Sequence, residues 1–369
     1  MDRESSTMFK RKRLAYISNS TIPSFQANSF HVINMTYELA KLFDVTLFSY
    51  SSKERDLKKF YGLEIIFKRK FFKLSPAPIF NFLTMIFFPI LNLNQYDFFL
   101  GRNVKILCYL FLLNKKVILE LHQPVSRHSF LERLLLKRSI KNGIDLVVIS
   151  KKLREIIKNE VNQTNSKISV LPDASRDFYQ RKIIKENSIG YFGSLLPGRG
   201  LDIIFSIAKK LPNFRFNIFG KENYYFQKFL KDSKTNNIFY HKFVNHTEIG
   251  KLMSEQSILI APYQKKTSVP GGAITSEWMS PLKIFEYMST KRPIISSNLP
   301  VLKEILIHKE NCMLVEPEDL NKWVITIKQI KADKKLKNYI VRNAYKDFLR
   351  KYSWKVRAEN YSKILERMV

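Results

Sequence analysis

Lys283 and Glu286 stand three residues apart in Ser280-Pro281-Leu282-Lys283-Ile284-Phe285-Glu286-Tyr287-Met288, a spacing that puts a cation and a carboxylate on one face of a helix. Pro281 suits the first helical position, and Ser280 before it can cap the freed amides. Those amides, the positive end of the helix dipole and the Lys283 charge would together attract a phosphate. Glu286 could accept two hydroxyls of a ribose, so the set fits a nucleoside diphosphate. Taken alone, the helix leaves an ordinary surface ion pair equally open.

Two other places carry chemistry. Gly190-Tyr191-Phe192-Gly193-Ser194-Leu195-Leu196-Pro197-Gly198-Arg199-Gly200 reads as a strand running through a glycine-rich turn into a helix. Gly193, Gly198 and Gly200 would let backbone approach a phosphate that Arg199 could bind bidentately, although such a turn is often only a turn. Glu120-Leu121-His122 closes an apolar run and is followed by Gln123-Pro124, which breaks the chain. A histidine at a strand's carboxyl end faces the crevice of a parallel sheet, where it can serve in proton transfer. A hydrogen-bonded structural histidine is the competing reading, and His31 and His128 have weaker claims.

The elements that must position these residues alternate as expected for parallel sheets. Strands are expected at 14–18, 45–49, 63–67, 97–101, 117–121, 146–149 and 168–171, then from Ile189 and at 216–219, 238–243 and 258–261, with a last short run at Ile294-Ile295 that ends in the turn residues Ser296-Ser297-Asn298. Helices are expected at 30–42, with Val32, Met35, Leu39 and Leu42 inward, and at 104–113, 130–141, 153–160, 201–210, 302–307, 320–332 and 335–350. A last helix begins at Tyr352-Ser353-Trp354. The charged, irregular stretch 175–187 reads as an interdomain linker. The domains are therefore residues 1–174, residues 188–350 and a final helical segment, 351–369. The small, polar loop 18–29 lies where a strand feeds a helix, and 267–277 has the make-up of a mobile loop.

At 369 residues, 45% hydrophobic and 13% aromatic, the chain can bury two α/β cores. Its 63 basic residues exceed 32 acidic ones, a formal charge of +31 spread over both halves. An anionic partner or a compositional bias toward lysine would each account for that. Cys108 and Cys312 show no metal-ligand or redox spacing and read as buried thiols in a reducing cytoplasm. Residues 1–13 lack the apolar run of a secretory signal, so a cytoplasmic location is expected. The uncharged stretch from Leu74 to Tyr96 is broken by Pro76, Pro78 and Pro89. A helix over 79–91 behind Lys68-Arg69-Lys70 and Lys73 would suit peripheral contact with the anionic inner face of the cytoplasmic membrane, or equally a core helix.

The opening segment resembles the carboxyl-terminal signature Ser-Pro-Leu-Lys-x-x-Glu-Tyr-Met of the retaining family 4 glycosyltransferases of the GT-B fold, in their bacterial polysaccharide-building branch. The resemblance implies two Rossmann-like domains with a deep interdomain cleft and a C-terminal helix crossing back to the first domain. It implies that Glu286 binds the donor ribose, and that the Leu282 amide with Lys283 and Arg199 holds the diphosphate near Gly193. It further implies that the turn at Val244-Asn245-His246-Thr247 meets the base and that His122 lies beside the donor sugar. The family's earlier glutamate, eight positions before the last, is here Trp278, next to Glu277. Ser194 stands where the family has a second basic residue. No Asp-x-Asp occurs, so the helix dipole, Arg199 and Lys283 would replace a metal at the diphosphate, and no cofactor beyond the donor nucleotide sugar is expected. The implied reaction is metal-independent, retaining transfer from a nucleoside-diphosphate sugar to a lipid-linked or surface polysaccharide. Two rivals stay open: a sugar-nucleotide epimerase of the same fold, and a basic membrane- or nucleic-acid-binding protein without activity, although no nucleic-acid motif supports the latter.

Overall fold

The computed structural model describes residues 11–51, 56–72, 83, 87, 93–162, 164–233, 235–242, 244, 246–268 and 274–368. They build two α/β domains. The first holds β1 (Arg13–Ile22), β2 (Asp44–Ser51), β3 (Lys68–Phe72), β4 (Phe98–Gly101), β5 (Val117–Leu121), β6 (Asp145–Val148) and β7 (Ile168–Val170), in the order β3-β2-β1-β4-β5-β6-β7. The second holds β8 (Lys185–Phe192), β9 (Arg215–Phe219), β10 (Ile238–His241), β11 (Gln256–Ala261), β12 (Ile294–Ser297) and β13 (Met313–Val315), in the order β10-β9-β8-β11-β12-β13. Neighbouring strands are parallel in both sheets. Strand order reverses between β1 and β4 and again between β8 and β11, and ligand crevices open at the carboxyl ends of strands at such points.

Helices cover both faces of each sheet, which is why the central strands read as unbroken apolar runs. Alternate residues of β1 divide between two cores, Ala15 and Ile17 in one and Leu14 and Tyr16 in the other. The first domain carries α1 (Ala27–Leu39), α2 (Leu57–Tyr61), α3 (Val104–Leu112), α4 (Phe130–Lys141) and α5 (Lys151–Glu160). The second carries α6 (Leu201–Lys210), α7 (Tyr224–Asp232), α8 (His246–Ser254), α9 (Leu282–Ser289), α10 (Leu320–Ala332) and α11 (Lys334–Asp347). A π-helical turn, Phe348–Tyr352, then turns the chain into α12 (Trp354–Glu366). Trp354, Ala358, Tyr361 and Leu365 of α12 are buried in the first domain's core, so the last helix crosses back as expected.

The domains touch through specific polar contacts. The Lys151 and Lys152 amides, free at the start of α5, donate to the Glu304 carboxylate at 2.6 and 3.0 Å. Ser150 Oγ donates to the Trp278 carbonyl at 2.9 Å, and the Asp173 amide donates to Ser280 Oγ at 2.9 Å.

Several sequence expectations need correction. The third strand is Lys68–Phe72 rather than 63–67. It is an edge strand, where charged residues are favoured, and Lys68 pairs with Asp44 at 2.9 Å. The helix expected at 302–307 is a single 3-10 turn, Leu302–Glu304. The Asn311 side chain accepts from the Ile307 amide and donates to the Ile305 carbonyl, taking backbone groups that a longer helix would need. Leu42 lies past the end of α1 and is exposed. The second sheet begins at Lys185, inside the expected linker. The helix expected over 79–91 falls largely outside the described residues. Among the described residues no helix is long and apolar enough to cross a membrane.

Candidate active site

One half of the site forms at the β8/β11 switch point. The Tyr287 hydroxyl accepts the Phe192 amide at 2.8 Å, fixing α9 against the end of β8, where Gly193 follows. Gly193 has φ +141, a conformation that strains any side-chain-bearing residue, and a Cβ there would stand 2.8 Å from Lys283 Cε and 3.0 Å from its Nζ, so it would push the lysine's flexible end aside. Gly198 and Gly200 have a different need, because a Cβ on either would strike the backbone of Lys266 or Pro262. Lys283 is not a surface residue. It is buried, and its Nζ has no hydrogen-bond partner among the described residues and lies 3.7 Å from the Tyr191 ring centroid and 5.2 Å from that of Tyr263. Burial first, then repulsion from Arg199, pushes its pKa well below the usual lysine range, while Glu286 opposes that. The tyrosine faces favour the ammonium.

Arg199 spans the same gap. Its Nη2 donates to the Ser268 carbonyl at 3.0 Å, its guanidinium lies 5.6 Å from the Tyr263 ring, and its Nε is buried without a partner among the described residues. Glu286 lines a narrow crevice with Phe30, Asn34, Arg176, Phe178 and Trp354. Burial raises its pKa to about 7 against the pull of Lys283 and Arg176. Among the described residues it makes no salt bridge with Lys283, so the ordinary surface ion pair is not what this helix holds. Ser280 does not cap α9 either. Its hydroxyl is taken by the Asp173 amide, Pro281 occupies the cap position, and no side chain caps the helix start at Leu282. Leu282 itself packs against the first domain's core.

The other half lies at the end of β5. His122 Nε2 is hydrogen-bonded to Glu120 Oε1, and its side chain is 19% exposed. Burial alone would raise the Glu120 pKa, but Arg357, His31 and His122 together hold it well below the usual carboxylate range. Glu120 is thus an ionised acceptor, and His122 must donate through Nε2–H. Burial, then Arg102, lowers the His122 pKa to about 4, against the opposing effect of Glu120 and Asp173, so the ring is neutral at pH 7 with a bare Nδ1. His31, a weaker candidate from sequence, sits behind it with ring centroids 5.2 Å apart. His31 Nδ1 bonds Asp173 Oδ1 at 2.8 Å, and its Nε2 lies 3.0 Å from Glu120 Oε1 without hydrogen-bond alignment. His128 instead faces Gln123 and Glu132.

Donor atoms of His31, Glu120, His122 and Asp173 all lie within 4.8 Å of one another, a spacing a divalent ion could use. Here Arg357 at 3.2 Å and the Tyr361 hydroxyl occupy Glu120 Oε2, and Asp173 occupies His31. The cluster is a hydrogen-bonded ion-pair network whose compensating cation is a guanidinium. Sequence reasoning missed Asp173, Arg357 and Tyr361; a lone arginine on an amphipathic helix gives no local signal. At the family's first glutamate position, Trp278 is buried in the first domain's core while Glu277 is exposed. Of the expected base-binding turn, Val244 is partly buried against the second domain's core; Asn245 lies outside the described residues, and His246 already starts α8. Residues 269–273 of the expected mobile loop lie outside them too.

Residues 175–347 match the model of the family described as glycosyl transferases group 1. The chain is 28% identical over 226 residues to the O-antigen chain mannosyltransferase RfbU of Salmonella typhimurium, covering 57% of this chain and 58% of that one. Its fold is similar to that of sucrose-phosphate synthase from Thermosynechococcus elongatus, with TM-score 0.73, 13% identity and coverage of 97% and 99% of the two chains. It is likewise similar to Anabaena HepE in complex with UDP and glucose, with TM-score 0.72, 13% identity and coverage of 97% and 100%. The chain therefore has the GT-B architecture of two parallel-sheet domains, and its residues 175–347 are similar to the glycosyl transferases group 1 family.

Proposed function

We propose that this chain transfers a sugar from a nucleoside-diphosphate sugar to a hydroxyl of a glycan, with retention at the anomeric carbon in the manner of family 4. The observation that carries this reading is the buried Lys283 amino group, without a hydrogen-bond partner among the described residues, between Gly193 and two tyrosine rings, with Arg199 beside it and Glu286 one turn on. A buried cation without a partner is costly, and an anion arriving from the crevice would supply one. The diphosphate would lie at the uncapped start of α9 between Lys283 and Arg199, and the ribose would lie on Glu286. This set of cations takes the role that a metal has elsewhere. Transfer breaks the bond between the anomeric carbon and a phosphate oxygen and forms one to the acceptor oxygen, whose proton leaves toward the departing diphosphate. His122 would face the sugar with its unprotonated Nδ1. HepE, solved with UDP and glucose, shares the fold, and RfbU is named for work on O-antigen chains, which supports a nucleotide sugar as donor and a surface polysaccharide as acceptor.

A panel of nucleotide sugars scored by thermal stabilisation tests the reading. A specific donor at about a hundred times its Kd stabilises by about 2.7 kcal/mol, enough to raise the melting temperature by a few degrees. If no nucleoside diphosphate or nucleotide sugar moves the melt, the nucleotide site is not here.

A lipid-linked acceptor would require peripheral contact with the inner face of the cytoplasmic membrane, and α4 is the described surface that suits it. Phe130, Leu131 and Leu134 are 77%, 46% and 59% exposed, and Arg133, Lys137, Arg138 and Lys141 surround them. This helix begins shortly beyond His122, so it would place lipid beside the cleft. The double variant Phe130→Ser with Leu134→Ser is expected to bind vesicles of anionic phosphatidylglycerol at least tenfold more weakly, since each buried apolar side chain contributes about 1.5–3 kcal/mol. Unchanged co-sedimentation of the folded variant would exclude α4 as the contact.

A further inference from the structure

We propose that α12 is the positioning device for His122: Arg357 and Tyr361, acting through Glu120, keep the histidine in the tautomer whose Nδ1 carries no hydrogen. The inference rests on the transfer reading for its kinetic consequence, but not for its geometry.

Glu120 is fully buried and divides its two oxygens. Oε1 faces His122 and His31, while Oε2 receives Arg357 Nη1 at 3.2 Å and the Tyr361 hydroxyl. The guanidinium uses its other donors on the loop after β7 that carries Asp173. Nε donates to the Pro172 carbonyl at 2.8 Å, and Nη2 to the Leu171 carbonyl at 3.1 Å. One planar fork thus ties the Glu120 carboxylate to the backbone just before Asp173 and leaves a permanent positive charge beside Glu120. Trp354, also on α12, stands edge-on to His31 at 4.9 Å, and His31 stands edge-on to His122. The charged and titratable groups around the histidine are Glu120, His31, Asp173, Arg102, Arg357, Tyr361 and Tyr16. Helix docking alone does not explain such a set, because well-packed apolar side chains usually stabilise as well as a buried ion pair or better.

Without Arg357, a buried Glu120 carboxylate has lost its permanent counter-charge, and the Glu120–His122 pair takes up a proton at higher pH. Two routes exist, and both end alike. If the proton sits on the imidazole, Nδ1 carries it. If it sits on Glu120, the carboxyl donates to Nε2 and the neutral ring moves its hydrogen to Nδ1. Either way the bare acceptor is lost.

The experiment is 15N NMR of histidine-labelled full-length protein without donor, the His122 signals assigned from His122→Gln, for the parent, Arg357→Gln, Arg357→Lys and Tyr361→Phe. The parent is expected to show Nδ1 unprotonated at pH 7. Arg357→Gln should move Nδ1 toward the protonated shift, Tyr361→Phe should do so to a smaller extent, and Arg357→Lys should largely restore the parent spectrum. Transfer assays should follow: kcat about tenfold lower in Arg357→Gln, donor KM changed less than about twofold, and the acid limb of the pH profile moved upward. Tyr361→Phe keeps its ring in the core and serves if Arg357→Gln does not fold. Folded variants whose His122 shifts match the parent's would overturn the proposal and leave α12 a packing element. If no donor supports transfer, the proposed activity fails while the NMR result still decides this inference.

Discussion

Replacing His122 with alanine is expected to lower turnover by on the order of a hundredfold while nucleotide affinity changes little. Its ring lies at the end of β5 in the first domain, whereas the groups assigned to the nucleotide lie at the β8/β11 switch point and on α9. Removing it therefore leaves the phosphate and ribose groups in place. The neutral ring, with a pKa near 4, also predicts the shape of the pH profile. A lowered histidine pKa keeps the unprotonated form dominant above it, so titration of His122 should add no pH dependence to activity from pH 5 to 7, and activity should fall as pH drops through about 4. The measurement is steady-state kinetics with a donor identified by thermal stabilisation. Unchanged kcat in a folded His122→Ala variant would return the residue to a structural role.

Much of this site was legible in the sequence because it is built from local signals. Period-2 and period-3.6 patterns bounded by turn residues placed β5 and α6, and a strand's end is where a parallel sheet exposes chemistry. The Ser280–Met288 segment announced its helix, and its lysine and glutamate share a face by simple geometry. What was not legible is long-range. Nothing local says that Lys283 is buried, because its burial depends on Tyr191 of β8 and on Gly193 and Tyr263 just past the ends of β8 and β11. Arg357 lies 237 residues from Glu120 in sequence, and only the crossing of α12 joins them. Ser280 read as a cap from its neighbours alone, yet an amide from the other domain claims its hydroxyl. Errors at the third strand and at 302–307 have the same origin, since edge position and the Asn311 side chain override the local pattern.

Calorimetry of a nucleoside diphosphate and of its bare nucleoside should separate Glu286 from Lys283 and Arg199. Glu286→Gln keeps size and removes charge, so it should weaken both ligands alike through the ribose, by roughly 1.5–3 kcal/mol for charge-assisted bonds. Lys283→Met and Arg199→Ala should weaken the diphosphate by ten- to a hundredfold and leave the nucleoside nearly unchanged. Protons provide a second, independent signature. The Lys283 pKa lies well below the lysine range, and a diphosphate beside it favours the ammonium, so diphosphate binding should take up a proton at alkaline pH. Glu286 titrates near 7 in the free protein, so nucleoside affinity should rise from pH 6 to pH 8 as the carboxylate ionises, and that rise should vanish in Glu286→Gln. Repeating each titration in buffers of different ionisation enthalpy reads the proton count directly, and the uptake should disappear in Lys283→Met. The same variant should melt no lower than the parent without ligand, because methionine fills the space between Tyr191 and Tyr263 without burying a charge. If Lys283→Met binds the diphosphate like the parent, with the same proton uptake, Lys283 is not at the phosphates and the nucleotide must be held elsewhere in the cleft.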